Sequence, residues 1–251
     1  MSAAALRLSP LRVSALTVTE GAAAVEVCCL AEDASGLSPQ DVYLLDPSDL
    51  TQDLALYRGI VLTQAGEGRA RELLAAGASC VLLGEAALRN PDVIETLSRE
   101  FGRERIGVHV PATRMQVSWS MDTVSNADFK VMRPSVCEPN WEVLMADGSR
   151  TGVYAPWWIE EMMKRGAGPV MVRVDIEDDA DLNLCAGLVE QCGERLWLAP
   201  LTRQPAQVSD WIEYGHARRL AFPRHAYEQH DAVLALRVPA ARDEQRPKET
   251  V

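Results

Sequence analysis

The sequence predicts an α/β protein, a single (β/α)8 TIM barrel with shortened first βα units and a long loop after strand 5. Three observations carry that expectation. The chain has 251 residues, about the length of one such barrel, and it can bury one large core. From about residue 59 onward, short β-type runs alternate with amphipathic helical stretches, which is the pattern of repeated βα units on a parallel sheet. Helix boundaries are marked where that reading needs them, by Gly77, by Asn90-Pro91-Asp92 and by Gly166.

Taken in order, the first third is the least regular. Arg12 to Val18 and Ala22 to Leu30 read as extended segments joined by a turn at Glu20-Gly21, and Val42 to Asp46 reads as a strand. A parallel crossover usually needs a helix, yet Leu30 to Val42 contains Gly36 and Pro39 and no helical period, so its helix is a single turn or absent. The next connection, Ser48 to Gly59, has room for a short helix only.

The regular part follows. Strands are expected at Gly59–Thr63, Cys80–Gly84, Ile106–Val110, Val170–Val174, Leu196–Ala199 and Arg219–Phe222. Helices are expected at Glu67–Ala76, from Asn90-Pro91-Asp92 to Phe101, and at Pro156–Arg165, Leu182–Cys192 and Pro205–Tyr214, with a last one inside His230–Val238. Between Val110 and Pro156 lies a long irregular segment with Trp119, Phe129, Pro134, Pro139 and Trp141. Following a strand, it would lie over the C-terminal mouth, where barrel enzymes place their sites. One domain is expected over 1–239, with a charged, disordered tail over 240–251.

A formal net charge of -11 makes this an acidic protein and argues against a nucleic-acid partner, because a phosphate backbone would be repelled over most of the surface. No stretch is long and apolar enough to span a bilayer, and the N-terminus has no continuous apolar core of a signal peptide. The six cysteines, Cys28, Cys29, Cys80, Cys137, Cys185 and Cys192, show neither CxxC pairing nor a histidine at metal-ligand spacing. Reduced, mostly buried thiols in a cytoplasmic protein without metal or cofactor are the expectation.

Three stretches resemble the histidine-biosynthesis barrels of the HisA/HisF family. Gly77 to Val110 resembles that family's fourth strand, its following helix with an Asn-Pro start, and its fifth strand. Gly148 to Asp175 resembles its Thr-Gly turn, fifth helix, Gly-Ala-Gly and sixth strand, and Arg12 to Val27 its opening strand and turn. The spacings stand closer to the cyclase subunit than to the isomerase. The resemblance implies a barrel, but a strongly diverged one. It places the family's two catalytic aspartates on Thr17 and Pro111, neither of which exchanges protons near neutral pH. It places the glycine-rich phosphate turns on Val61-Leu62-Thr63-Gln64 and Pro200-Leu201-Thr202, and a phosphate-binding threonine on Glu85. The family's Asp-x-Asp-Gly-Thr is reduced to Ile176-Glu177-Asp178-Asp179-Ala180.

Strand parity then points His109, Arg173 and Asp175 into the barrel and Val108 and Val110 outward. These three are either a new polar binding site or, the reading preferred on sequence, a self-satisfied Arg–Asp pair beside a hydrogen-bonded histidine. Asp46 serves equally well as a mouth residue or a cap. The acidic run from Asp175 to Asp181 is read as a helix start rather than a cation site. Of Trp157 and Trp158, one should pack on the sheet and the other can face a subunit.

The functional expectation is a pseudoenzyme: a non-catalytic or repurposed subunit of a larger complex. Its protein partner, another copy or a paralogous barrel, would cover the outer face of strands 1 and 2 around Tyr43 or Leu45. The alternatives are an enzyme with altered chemistry at the mouth, for which tetrahydromethanopterin-linked one-carbon metabolism is the setting the resemblance allows, and a histidine-biosynthesis cyclase. Ligand, pathway, partner and the role of the 112–147 loop are not given by the residues.

Overall fold

The computed structural model describes residues 25–48, 53–115, 140–201 and 208–230, and the backbone alone of 123–126 and 129–132. Eight parallel strands close a barrel: β1 (Glu26–Ala31), β2 (Val42–Leu45), β3 (Gly59–Leu62), β4 (Val81–Leu83), β5 (Ile106–Arg114), β10 (Val170–Arg173), β11 (Leu196–Ala199) and β12 (Arg219–Pro223). Pairing runs round this order, β5 joins β10, and β12 returns to β1, with Cys28 opposite Ala221. The helices are α1 (Glu67–Ala75), α2 (Glu85–Arg89), α3 (Asp92–Phe101), α4 (Ala155–Lys164), α5 (Asp179–Cys192), α6 (Val208–Glu213) and α7 (Arg224–Tyr227). The expected (β/α)8 fold is what the chain adopts.

The opening strand differs from expectation. The barrel closes on Glu26–Ala31, whereas Arg12–Val18 lies outside the described residues, as do Thr17, Cys137 and the tail from 240. Among the described residues the first barrel strand ends at Ala31, whose methyl side chain cannot move a proton. The expected helix within His230–Val238 also falls outside the described residues beyond His230.

The thin connections come out as read. A 3-10 turn at Pro39–Asp41 joins β1 to β2, and another at Leu54–Leu56 joins β2 to β3. Their consequence does not. Tyr43 and Leu45 point into the barrel, and the outward residues of these strands, Cys29, Ala31, Val42 and Leu44, are buried against Leu37, Tyr57 and Tyr227. Period-2 alternation decides this: with Leu44 outward, Tyr43 and Leu45 are inward. A bare apolar face at strands 1 and 2, the ground for placing a partner there, does not exist.

Inside, Cys28, Leu30, Val61, Leu82, Met171 and Ala221 pack around Tyr43 and Trp197, whose rings meet edge to face at 5.4 Å. Arg58 and Arg219 lie over the Trp197 ring at 5.0 and 5.7 Å, and Glu26 pairs with both guanidiniums. This layer fills the N-terminal end of the barrel. Outside, Val108, Val110, Val170 and Val172 bury against the helical ring. The five described cysteines are free and buried, and burial pushes the Cys80 and Cys185 thiols up to about 12, so they are unreactive.

Gly107 in β5 is pressed against the backbone just before β10: a Cβ there would stand 2.3 Å from the Pro169 carbonyl oxygen. That neighbour is backbone and has little freedom to yield. Gly107→Ala is expected to lower stability by about 2 kcal/mol or more, read as a shifted urea midpoint at unchanged slope.

Candidate functional site

The segment after strand 5 is structured. β5 runs four residues past Val110 and pairs antiparallel with β8 (Trp141–Leu144), which pairs antiparallel with β9 (Arg150–Tyr154). Inside the insert, β6 (Thr123–Asn126) and β7 (Phe129–Met132) form a separate hairpin. The β5–β8–β9 flap closes through a turn at Met145–Ser149, where the Gly148 amide donates to the Met145 carbonyl at 3.0 Å. Sequence alternation in Trp-Glu-Val-Leu was a legible strand signal hidden inside an otherwise irregular stretch.

Two fastenings hold the flap over the mouth. On one side, Asp178 caps α5, accepting from the Ala180 and Asp181 amides at 2.9 and 3.2 Å. Its other oxygen accepts from Arg114 Nη1 at 2.8 Å. Asp181, 1% exposed, accepts from Arg114 Nε at 3.1 Å, from the indole of the fully buried Trp141 at 3.0 Å and from the Glu177 amide at 3.0 Å. The acidic run is thus a helix start, as read, and also a clamp on the insert; among the described residues no group of acids, histidines and cysteines could hold a metal ion. Sequence reasoning missed Arg114, Trp141 and Asp181. The available sign was Asp181 itself, three residues after the Asp178 cap, where a carboxylate can reach back to main-chain N–H groups.

On the other side, Glu85 opens α2. One of its oxygens pairs with Arg89 and the other accepts from the Ala146 amide in the flap turn at 3.1 Å. Within the flap, Glu142 is buried, pairs with Arg150 and accepts from the Gly152 amide at 3.0 Å.

Beneath the flap lies a cavity of about 180 Å³ lined by Thr63, Gly84, Glu85, His109, Pro111, Val143, Arg173 and Leu201, among others. Pro111 ends the barrel part of β5 opposite Arg173, and His109 sits opposite Met171, so parity points all three inward as expected. Arg173 donates to the carbonyls of Pro200 and Leu201 at 3.3 and 3.0 Å, while Asp175 accepts from the Leu201 amide at 3.1 Å. Both residues therefore grip the turn after β11. Burial lowers the Arg173 pKa and the Asp175 charge opposes that shift. Asp46 is a cap: with φ of 42°, it accepts from the Thr63 amide at 2.9 Å and from the Thr63 hydroxyl.

His109 overturns the quiet reading. It is 4% exposed, and among the described residues neither ring nitrogen has a hydrogen-bond partner. Burial first, and the neighbouring Arg173 charge second, push its pKa down to about 3. The ring is neutral at every ordinary pH. As pH falls through 6.5 the unfolded chain takes up a proton that the folded chain refuses, so stability present above 6.5 is lost on the way to 3. At pH 5 the loss is expected to be about 2 kcal/mol, and His109→Gln should remove it, as measured by urea unfolding of both proteins at pH 5 and pH 7.5. Asp181→Ala, which strands the Trp141 indole and leaves Arg114 to Asp178 alone, should cost about 2–4 kcal/mol in the same assay at pH 7.5.

A family model described as histidine biosynthesis protein matches residues 66–183. The imidazole glycerol phosphate synthase subunit HisF of Microcystis aeruginosa is 30% identical over 127 residues, covering 50% of this chain and 43% of that protein. The same subunit of Synechocystis is 33% identical over 127 residues, covering 48% and 41%, and that of a Shewanella strain 32% over 111 residues, covering 44% and 37%. The matched stretch thus spans less than half the length of these relatives. It includes the fourth, fifth and sixth barrel strands, which help shape the mouth, and over this stretch the chain is similar to the HisA/HisF histidine-biosynthesis barrels, in keeping with the eight strands that close its own barrel.

Proposed function

We propose that this barrel has left the family's cyclase and isomerase chemistry and serves as a non-catalytic or repurposed subunit. The observation that carries the reading is the Glu85 bond to the Ala146 amide. An anion cradle needs open main-chain N–H groups and a small or hydroxylated residue at the helix start. Here a carboxylate of the protein stands at that point and binds the flap turn itself. A phosphorylated substrate would meet that charge and the covering turn together. Among the described residues, Ala31 at the end of β1 and Pro111 at the end of the barrel part of β5 supply no carboxylate pair to work across the opening.

A protein partner fits this reading, since the relatives named above are subunits of imidazole glycerol phosphate synthase. With the strand 1–2 face covered, Trp157, 58% exposed at the start of α4, and Tyr154, 46% exposed beside it, are the better candidates for a contact, whereas Trp158 is buried against the barrel. The absence of a long apolar helix among the described residues and the acidic surface agree with a cytoplasmic setting without nucleic acid. Altered chemistry at the mouth, in one-carbon metabolism or elsewhere, is the second reading, favoured by the unpartnered His109 alone.

Expression of the chain in a cyclase-deficient strain tests the main reading: no rescue is expected on medium without histidine, and growth would refute it. Ribose 5-phosphate is likewise expected to show no saturable heat in titration calorimetry.

A further inference from the structure

We propose that the covered mouth is a binding site for a small carboxylate, held between the Arg173 guanidinium and the His109 ring. The inference accepts the reading that the flap closes the opening to phosphorylated substrates, and it says what the enclosed space takes instead.

Buried polar groups are normally paired, and a buried nitrogen without a partner costs stability. His109 has two such nitrogens, and it lines the cavity beneath the flap. A neutral imidazole carries one N–H donor. Beside it, among the described residues, stands one guanidinium lining this cavity, that of Arg173, fixed from behind through Nε and Nη2 on the carbonyls of Pro200 and Leu201. A fixed planar donor set complements a carboxylate, and it needs no reorganisation to receive one. The space about the ring is kept open by Gly84, where a Cβ would lie 3.4 Å from His109 Nδ1 and 2.7 Å from the Thr63 carbonyl oxygen.

Size and charge restrict the guest. The cavity of about 180 Å³ has room for several water molecules or a ligand of a few heavy atoms. Glu85 on the rim penalises a doubly charged phosphate more than a single carboxylate. Val143 from the flap adds an apolar wall, so a carboxylate with a short organic body suits the site better than a bare inorganic anion.

The test uses the full chain labelled with 15N-histidine, whose four histidines are separated by assigning His109 as the resonance lost in His109→Gln. Sodium pyruvate, sodium chloride and ribose 5-phosphate are titrated in turn through the millimolar range. Pyruvate is expected to shift the His109 resonances saturably, chloride at equal concentration is not, and Arg173→Lys should weaken pyruvate binding by about tenfold or more with the circular dichroism spectrum unchanged. No saturable shift with pyruvate, or equal affinity in folded Arg173→Lys, overturns the inference and leaves the disarmed-mouth reading standing. Displacement of pyruvate by ribose 5-phosphate overturns that reading as well.

Discussion

The placement of everything at the mouth depends on one buried carboxylate. Asp181 sits in the first turn of α5 and accepts from the Trp141 indole, the Arg114 guanidinium and the Glu177 amide. Its charge is compensated by Arg114, and Asp178 shares that guanidinium from the exposed side. A carboxylate with such partners can be buried without the penalty of an isolated charge. The arrangement converts a helix start on one βα unit into an anchor for a sheet extension grown out of another. Without it, β8 would carry a large indole and a buried glutamate into a barrel rim that has no place for either.

From that anchor the electrostatics of the opening follow. The flap turn reaches Glu85, whose carboxylate holds the Ala146 amide where the family resemblance places a phosphate-binding threonine. Glu85 and Asp175 are both engaged in structure. Among the described residues, the cavity lining keeps the Arg173 guanidinium, tied to carbonyls, and the His109 imidazole that burial keeps uncharged. Such a mouth is poorly suited to moving protons across a large anionic substrate. It is suited to holding something small.

Much of the barrel was legible because period-2 and period-3.6 patterns report burial directly, and the strands from Gly59 to Phe222 lie within a residue or two of where those patterns put them. The extension of β5 beyond Val110 was not, because Pro111 interrupts the pattern and the partner strand lies 27 residues farther along the chain. The inward direction of His109 and Arg173 followed from parity, but whether they were satisfied did not, since the carbonyls that bind Arg173 belong to a turn that only the closed barrel brings near. The error at Tyr43 has a different origin. In the sequence, absence of a covering helix reads as absence of cover, whereas Leu37, Tyr57 and Tyr227 from short turns and α7 supply it. A local signal reported the missing element correctly and said nothing of what replaced it.

The division between the two ends of the barrel explains how the fold can persist while its opening changes. The filling at the N-terminal end, with Trp197 between Arg58 and Arg219 and against Tyr43, lies away from the flap. Barrel stability resides in that filling and in the outward valines packed under the helices, while chemistry resides in the loops at the strand ends. Residues at the strand ends can then be exchanged with little effect on the layers beneath. Gly84 stands at that boundary: it is pressed by the carbonyls of Leu62 and Thr63 below and by His109 from the side, so any side chain there would disturb the strand pairing and fill the cavity at once. Glycine at this position is demanded by packing, and the open space beside His109 follows from the same demand.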